Sequence, residues 1–245
     1  RLTGLSAQTL SLMMRRLEAE ALVMPLAPLR GRIGQPSVPY ALNPKGTASF
    51  GIKIGRRSTD LVVCDFLGTL RDRAKLTYAY PVPGRVLAFI EQQVANLRKT
   101  LGRKQRISGI GVAMPFELWK WAEQVDAPSG ALDGWKSIDV ARELTRLTGL
   151  PALIANDATA ACGAELARTE RTAAADFLYF YIGSFIGGGV VLNGQLFAGR
   201  TGNAGALGSM PIELKGQRSQ LIEHASLITL EQALAKRHAN VAILQ

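Results

Sequence analysis

The order of strand-like and helix-like segments after residue 46 limits the possible folds of this chain more than any other feature. In chain order the predicted elements are strands at 49–54, 60–65 and 74–80, a helix at about 86–101, a strand at 107–113, a helix at about 138–147, a strand at 152–155 and an Ala-rich helix to about 168. The first helix is assigned from apolar residues at helical spacing, namely Leu87, Ile90, Val94 and Leu97. This β-β-β-α-β-α-β-α order predicts an actin-like, or ribonuclease-H-like, α/β domain.

A second strand-first segment begins near Phe177. It contains a Gly-rich stretch at 187–189, predicted to be a loop, and Asn193-Gly194, a dipeptide that favours a two-residue hairpin turn. Because the strand-first layout repeats, we expect two lobes with a cleft between them. Small ligands commonly bind in clefts at the carboxyl ends of strands, so the sequence predicts a ligand site there.

The segment before residue 46 has a different pattern, which begins with a turn and an amphipathic helix. Gly4 allows the turn, and Ser6 is placed to cap the helix. The predicted apolar face consists of Leu10, Met13, Met14 and Leu17. The opposite face carries side chains that can reach base edges and phosphates, namely Gln8, Ser11 and Arg15, with Thr9 and Arg16 beside them. Taken alone, this pattern also fits an amphipathic surface helix.

A β-hairpin is predicted to follow this helix. Strand-like runs at 23–29 and 38–42 flank the segment Arg30-Gly31-Arg32, so the tip of the hairpin is Gly-rich and basic. A helix followed by such a hairpin is typical of a winged helix-turn-helix domain, whose wing contacts the DNA backbone or minor groove. The predicted DNA-binding residues are Ser6, Gln8, Thr9, Ser11, Arg15, Arg30 and Arg32. The segment is too short for the earlier helices of such a domain, so we expect it to be N-terminally incomplete.

The distribution of charge supports a nucleic-acid partner. The chain has a formal net charge of +10. Up to Arg57 there are nine basic side chains against two acidic ones, a net charge of +7 that leaves only +3 for the rest. Basic charge concentrated on a small module favours binding to nucleic acid, although some of these arginines are expected only to be solvated.

Composition excludes several other classes of protein. With 245 residues, of which 47% are hydrophobic and 20% charged, the chain can build one or two sizeable cores. It contains no apolar run near the ~18 residues of a membrane span and no recognisable signal peptide, so we expect a cytoplasmic protein. Cys64 and Cys162 are far apart in apolar surroundings, as expected for free thiols in a reducing compartment. Two histidines and no C-x-x-C motif predict no metal site.

Five motifs carry a family resemblance. They are G-I-G-V-A-M-P at 109–115, L-D-G-W at 132–135, T-G-L-P-A-L-I-A-N-D-A-T-A-A at 148–161, G-S-F-I-G-G-G-V-V-L-N-G at 183–194 and G-N-A-G-A-L-G-S-M-P at 202–211. In this order they closely resemble the ROK family of repressors and sugar kinases. The resemblance implies a partial winged helix-turn-helix domain at 1–45 followed by a two-lobed sugar-kinase-type fold. Its first lobe would span 46–176, and its second lobe, C-terminally incomplete, would span 177–245.

The resemblance to the kinases is broken at their phosphate loop. Kinases of this family open with D-x-G-G-T, in which the carboxylate helps to hold the metal and the Gly-Gly turn admits phosphate. Here Lys53 replaces the Asp, and Arg56 and Arg57 replace the second Gly and the Thr. A cation cannot hold Mg²⁺, so we predict no catalytic residue, no cofactor and no enzyme activity, although these cations could still neutralise phosphate. The glycines at 187–189 resemble a second phosphate loop, but we interpret them as architectural, because glycines also serve a tight turn between strands.

The resemblance implies a partly altered sugar site. Asn156 and Asp157 match the family's sugar-contacting pair, and the same two residues could cap the following helix. Glu223 is matched to the last sugar-contacting Glu. The family's E-x-G-H motif reads A-L-G-S here, so Ala206 and Ser209 replace its Glu and His, and the zinc-binding cysteines of the family are missing. Three tryptophans could compensate by stacking on a sugar or could instead plug the space between the lobes: Trp119, Trp121 and Trp135.

These features predict a DNA-binding transcription regulator, a repressor that responds to a sugar or a sugar derivative. Its expected partners are operator DNA, a sugar effector and further copies of itself in a homodimer or homotetramer. Ligand in the cleft would shift the population of two lobe arrangements and so change the spacing of the DNA-reading elements. Two alternatives remain open: a sugar kinase with residual phosphotransfer, and a constitutive DNA-binding protein whose ligand pocket has decayed.

Overall fold

The computed structural model describes residues 4–29, 38–102, 104–125, 127–168 and 176–237. Its helices are α1 (Ala7–Ala19), α2 (Pro83–Leu101), α3 (Val140–Thr148), α4 (Asp157–Arg168), α5 (Ile222–Ala225) and α6 (Leu227–Lys236). Its strands are β1 (Val23–Pro25), β2 (Tyr40–Leu42), β3 (Ala48–Ile54), β4 (Ser58–Asp65), β5 (Leu70–Thr77), β6 (Ile107–Ala113), β7 (Ala152–Ala155), β8 (Phe177–Ile182), β9 (Ile186–Leu192), β10 (Gln195–Leu196), β11 (Pro211–Leu214) and β12 (Gln217–Gln220). The fold is mixed α/β, as predicted.

These elements form two compact units. One comprises residues 1–112 and 117–154, and the other comprises residues 113–116 and 155–245. The division into 1–45, 46–176 and 177–245 was made from motifs rather than from packing, and it stays a prediction. Within the described ranges no helix is both long enough and apolar enough to cross a membrane.

The first unit is built on a five-stranded sheet with the order β5-β4-β3-β6-β7. Strands β3, β4 and β5 form an antiparallel meander in which buried and more exposed residues alternate along β3 and β4, with Phe50 opposite Val63. Helix α2 packs against β4, β5 and α3. All four residues predicted for the apolar face of α2 are buried, which confirms that assignment: Leu87, Ile90, Val94 and Leu97.

The predicted third strand was misplaced at both ends. β5 spans Leu70–Thr77 rather than 74–80. Its early start follows from a compact turn, in which Asp65 Oδ1 accepts hydrogen bonds of 2.9 Å from the amides of Leu67 and Thr69 while Gly68 takes a φ of +78°. Pairing therefore resumes at Leu70, opposite Cys64. Exposed charged residues at the start of β5 hid this boundary from the apolar pattern.

The second unit contains the antiparallel sheet β10-β9-β8, with helix α4 packed against its strands. The glycines at 187–189 lie inside β9, so the prediction that they form a loop is wrong. A Cβ atom on Gly189 would collide with the side chain of Cys162 on α4, and one on Gly187 would lie 3.1 Å from the Cβ of Ala158. Gly187 and Gly189 therefore serve the close approach of α4 to β9, whereas a Cβ on Gly188 would collide with the carbonyl of Tyr179 on β8 and with Leu207.

The predicted hairpin at Asn193-Gly194 is confirmed. These two residues join β9 to β10, with Leu192 opposite Gln195, and their φ angles are +53° and +68°. A two-residue turn with both φ values positive matches the twist of the flanking strands, which is why Asn-Gly favours it.

The N-terminal segment of the first unit contains helix α1 and the antiparallel pair β1–β2, with Val23 opposite Leu42. Both strands are shorter than the runs predicted from the sequence. Residues 4–29 and 38–45 contain one helix and this one pair of strands, so a complete winged helix-turn-helix is not seen in them and stays a prediction. The predicted tip of the hairpin, with Arg30 and Arg32, lies outside the described residues.

Candidate functional site

Helix α1 begins at the cap predicted from the sequence. Ser6 Oγ accepts a 3.1 Å hydrogen bond from the amide of Thr9, and the hydroxyls of Ser6 and Thr9 are 2.8 Å apart. Both side chains are exposed. The Ser6 hydroxyl therefore caps the helix, the Thr9 hydroxyl is bonded to it, and a role for either in DNA binding stays a prediction.

The face of α1 predicted to read DNA is open to solvent. Gln8, Ser11 and Arg15 are exposed, and together with Ala7 and Leu12 they line a shallow depression of about 430 Å³. Neighbouring Arg16 is paired with Glu20 at 3.2 Å. The structure thus brings Gln8, Ser11 and Arg15 together as one accessible surface with polar and cationic groups.

The predicted apolar face of α1 is only partly covered. No residue of the helix is buried, and the exposed fractions of Leu10 and Met13 are 44% and 48%. Tyr40 attaches the helix to β2, because its hydroxyl donates a 2.9 Å hydrogen bond to Glu18 Oε2. That hydrogen bond, with burial and the charge of Glu18 adding to it, raises the pKa of Tyr40 above its ordinary value.

Hydrogen bonds also fix the junction between this segment and the sheet. The Asn43 side chain donates to the carbonyl of Ala21 at 2.8 Å, and its backbone amide donates to the carbonyl of Leu22 at 2.9 Å. Its side-chain oxygen accepts from the amide of Lys45 at 3.0 Å. Asn43 therefore ties the end of α1 to the chain that leads into β3.

The segment matched to the kinase phosphate loop, residues 53–57, comprises the end of β3 and the turn that leads into β4. We call it the cationic turn, because it carries Lys53, Arg56 and Arg57. Lys53 and Arg57 are exposed and Arg56 is half-buried. Where a kinase would place a carboxylate and small residues, this chain presents three positive charges in five residues, an arrangement that disfavours a bound Mg²⁺ and favours an anion.

Asn156 lies between β7 and α4, and Asp157 is the first residue of α4. Asn156 Oδ1 accepts hydrogen bonds from the amides of Ala158 at 3.0 Å and Thr159 at 3.4 Å, and Asp157 Oδ1 accepts from Ala158 at 3.1 Å. The capping role considered from the sequence is therefore observed. Both side chains remain partly exposed, so their role in sugar binding stays a prediction.

Glu223 lies in the short helix α5 and is exposed. Its side chain accepts a 2.9 Å hydrogen bond from the amide of Gln220 at the end of β12. The next residue, His224, lies with Nε2 2.8 Å from Ser219 Oγ, a contact that the sequence did not predict. Both side chains hold the β11–β12 hairpin against α5, and a sugar contact for Glu223 stays a prediction.

The three tryptophans differ in burial. Trp135 is 3% exposed, and its ring N–H donates a 2.7 Å hydrogen bond to the carbonyl of Pro81, so it is a core residue of the first unit. It does not offer a face for stacking on a sugar. Trp119 and Trp121 lie in a 3₁₀ turn and are half-buried, which leaves stacking as a prediction for these two.

The described residues contain no cluster of histidine, cysteine or acidic side chains that could hold a metal ion. Cys64 is half-buried and Cys162 is buried, and both are free thiols. Burial raises the pKa of each thiol, to which the Asp65 charge adds for Cys64, so neither is an activated nucleophile.

Comparison with known sequences places this geometry in a family. A family model described as the ROK family matches residues 49–225. A transcriptional regulator of Mycobacterium tuberculosis is 27% identical over 200 residues, which cover 78% of this chain and 44% of that protein. The xylose repressor of Bacillus subtilis (strain 168) is 24% identical over 221 residues, covering 89% of this chain and 56% of the repressor. The chain thus spans about half the length of these relatives.

Solved structures show the same fold. A ROK family transcriptional regulator described as a homolog of the E. coli MLC protein superposes with a TM-score of 0.68 at 21% identity, covering 95% of this chain and 60% of that one. A ROK hexokinase from Thermus thermophilus superposes with a TM-score of 0.58 at 23% identity, covering 80% and 66%. The sugar-kinase-type fold therefore occurs in both regulators and kinases. Since the family model covers more than half of the sequence, the chain belongs to the ROK family, as its motifs predicted.

Proposed function

We propose that this chain belongs to a DNA-binding transcription regulator, a repressor whose kinase-like body senses a sugar or sugar derivative without transferring phosphate. The observation that carries the proposal is the exposed surface of Gln8, Ser11 and Arg15 on α1. An accessible helix face of amide, hydroxyl and guanidinium groups suits contacts with base edges and phosphates in a major groove. The similarity to transcriptional regulators and to a xylose repressor supports the same function.

The junction at Asn43 supports coupling between DNA reading and ligand sensing. Its hydrogen bonds to the carbonyls of Ala21 and Leu22, just after α1, connect the helix to the chain that enters β3, so that a folded α1 follows movements of the sheet. In a homodimer or homotetramer, a ligand-dependent change in the body would then alter the spacing of two recognition helices across an operator.

The cationic turn supports the absence of kinase activity. A coupled assay with ATP, Mg²⁺ and a panel of sugars tests this directly. We expect no sugar-dependent turnover. A rate above ~0.1 s⁻¹ would show instead that the protein is a sugar kinase. That second candidate is favoured by the retained Asp157 and by a beta-glucoside kinase of Listeria monocytogenes that is 32% identical over 126 residues, covering 51% of this chain and 42% of the kinase.

The DNA-binding part is tested by selecting bound fragments from a random DNA library and measuring their affinity against salt concentration. We expect Arg15→Ala to weaken binding and to lower the salt slope by about one per lost phosphate contact. The same loss is expected for Arg30→Ala and Arg32→Ala. Arg142→Ala removes an equal charge from the exposed face of α3 and serves as the control. If Arg15→Ala behaves like this control, α1 is not the recognition element.

The sensor part is tested at Asp157. We expect Asp157→Ala to weaken binding of the sugar effector about ten- to a hundredfold, the loss of one charge-assisted hydrogen bond. Asp139→Ala is a matched control, because Asp139 caps α3 through a 3.0 Å hydrogen bond from the amide of Arg142. Under the decayed-pocket alternative, both variants would lose only about 1 kcal/mol of stability and calorimetry would detect no sugar binding.

A further inference from the structure

We propose that a cluster of basic side chains, at the end of the five-stranded sheet where β3 and β6 begin, binds the sugar-phosphate backbone of duplex DNA beside α1. We call this cluster the basic junction, and its exposed members are Lys45, Lys99, Lys104 and Arg106. These residues and α1 all lie in the first unit. The proposal rests on the proposed function in one respect, namely that α1 reads DNA.

Two segments of the sequence contain no acidic residue. They are residues 21–59, which carry six basic side chains, and residues 92–116, which carry five. The rest of the chain holds 18 basic and 19 acidic side chains, so the excess positive charge of the protein resides in these two segments. The second segment lies outside the predicted DNA-binding domain at 1–45, so that domain does not account for its charge.

The structure brings the two segments together where β3 and β6 begin. The amide of Ala48 donates a 2.9 Å hydrogen bond to the carbonyl of Arg106, and the Thr47 hydroxyl donates to the same carbonyl at 3.3 Å. The side chain of Gln105 donates to the carbonyl of Lys45 at 3.3 Å. The loop between α2 and β6 is therefore attached to the chain that enters β3.

The chain that enters β3 also lies against the end of α1. The Asn43 side chain donates to the Ala21 carbonyl, and a Cβ atom on Gly46 would lie only 2.7 Å from the same carbonyl oxygen. Gly46 is buried, and a larger residue there would have to displace this backbone. The exposed Lys45 lies between these two contacts. The basic junction is thus continuous with the C-terminal end of the helix that is proposed to enter a major groove.

The side chains of the basic junction have no protein partner within the described ranges, where none of the four forms an ion pair or a side-chain hydrogen bond. The two carboxylates of α1 are engaged elsewhere, Glu18 by Tyr40 and Glu20 by Arg16. Exposed cations that no carboxylate balances attract an anionic partner. Arg98 differs, because it donates to a backbone carbonyl of α3 at 3.1 Å and is not part of the junction.

Four exposed cations on two chain segments suit an extended polyanion better than a small anion, which is bound by groups that converge in a concave pocket. Duplex DNA carries one phosphate charge per about 1.7 Å of its axis, and Lys and Arg bind these phosphates without reading the bases. When a helix lies in a major groove about 12 Å wide, cations beside its end come near the phosphates that border the groove. Because the junction is attached to the sheet, this contact would orient the kinase-like body, as well as α1, on the DNA.

Fluorescence anisotropy of the full chain, with a duplex selected from a random library and an unselected duplex of the same length, tests the junction. We expect Lys104→Ala/Arg106→Ala to lower the salt slope by about two, one per lost phosphate contact, and to weaken binding of both duplexes by the same factor, about tenfold. The control Arg85→Ala/Arg142→Ala removes an equal charge from exposed positions in the first turns of α2 and α3 and should leave the slope unchanged. Lys104→Arg/Arg106→Lys keeps both charges and should bind like the wild type.

Three results would overturn the proposal. A salt slope in Lys104→Ala/Arg106→Ala equal to that of the control would show that the junction does not contact DNA. An equal loss in Lys104→Arg/Arg106→Lys would assign the effect to the structure of the loop rather than to its charge. Unchanged DNA affinity together with lost binding to vesicles of phosphatidylserine and phosphatidylcholine would make the junction a membrane-binding surface.

Arg15→Ala, measured on the same duplexes, separates this proposal from the proposed function. A lower salt slope in Arg15→Ala but not in Lys104→Ala/Arg106→Ala would overturn the basic junction alone. The reverse result would support the junction and overturn α1 as the recognition element. Failure of the wild type to bind any duplex would overturn both.

Discussion

Helices α1 and α2 both carry an apolar face, but they differ in what covers it. α2 buries Val86, Ile90 and Val94 against the sheet, whereas no residue of α1 is buried. α1 is held instead by its cap at Ser6 and by the hydrogen bond from Tyr40 to Glu18. Within the described residues, therefore, the sheet and α2 have their own core, while α1 depends on a small number of polar interactions. A helix of this length is marginal on such interactions alone.

The largest expected effect is a loss of stability from a substitution in α2 that a substitution in α1 should not cause. Ile90→Ala removes a fully buried side chain from α2, and we expect it to lower the free energy of unfolding by about 2–5 kcal/mol. Met13→Ala in α1 should cost less than about 0.5 kcal/mol, as should Gln92→Ala on the exposed side of α2. Urea unfolding followed by circular dichroism measures all three. If Met13→Ala costs as much as Ile90→Ala, α1 shares the core of the sheet and is held by apolar packing.

Substitution of Tyr78 should have an intermediate effect on the free energy of unfolding, and this effect should depend on pH. Tyr78→Phe leaves the buried Thr59 hydroxyl and the Gly55 carbonyl without their partner, which should cost about 1–3 kcal/mol at neutral pH. Burial raises the pKa of Tyr78 to about 12, outweighing the opposite effect of Thr59. Because the folded state holds this proton more tightly than the unfolded chain, the stabilisation is complete below pH 10 and is lost as the pH rises towards 12.

The measurement is the free energy of unfolding of wild type and Tyr78→Phe at several alkaline pH values. The difference between the two proteins should shrink steadily from pH 10 to pH 12. A difference that stays constant over this range would mean that the Tyr78 phenol ionises as readily in the folded protein as in the unfolded chain.

The sequence predicted the elements with strong apolar periodicity and missed those set by tertiary contact. The four apolar positions of α2 and the Asn193-Gly194 turn were correct, because each depends on local patterning. The glycines at 187–189 were misread as a loop, since only the packing of α4, Tyr179 and Leu207 around β9 explains why small residues are needed there. Within the candidate site, the cap at Ser6 was visible in the sequence. The support of the cationic turn by Tyr78 was not, because the two are 21 or more residues apart and meet only through the sheet.

A smaller effect is expected at the start of α1. Ser6→Ala removes the side chain that accepts from the Thr9 amide, and loss of such a cap costs about 1 kcal/mol. Because α1 buries no residue, we expect this cost to appear as faster hydrogen exchange of the α1 amides, with the main unfolding transition unchanged. Asp139→Ala, the matched cap change on α3, should lower the main transition, because α3 buries Val140 and Leu144. Equal effects on the main transition would show that α1 unfolds together with the sheet.

The smallest effect should be a gain in stability at the other end of α1. Ala21 follows the C-cap Glu20 and has a φ of +57°, a left-handed conformation that is strained for any residue with a Cβ. Its amide donates to the carbonyl of Glu18 at 2.9 Å, and the Leu22 amide donates to the carbonyl of Leu17 at 2.9 Å, so the backbone there already has the hydrogen bonds of a glycine-terminated helix. Ala21→Gly relieves the strain, and this gain is partly offset by the greater freedom of glycine in the unfolded chain. We therefore expect a net gain of about 0.5–1 kcal/mol in the stability of α1.

Hydrogen exchange of the α1 amides measures this gain. Their exchange rates should fall by the factor that corresponds to the gain in free energy, and the double variant Ser6→Ala/Ala21→Gly should return close to the wild-type exchange rates. If Ala21→Gly instead speeds exchange, contacts of the Ala21 methyl group outweigh its backbone strain, and α1 is held by packing as well as by its caps.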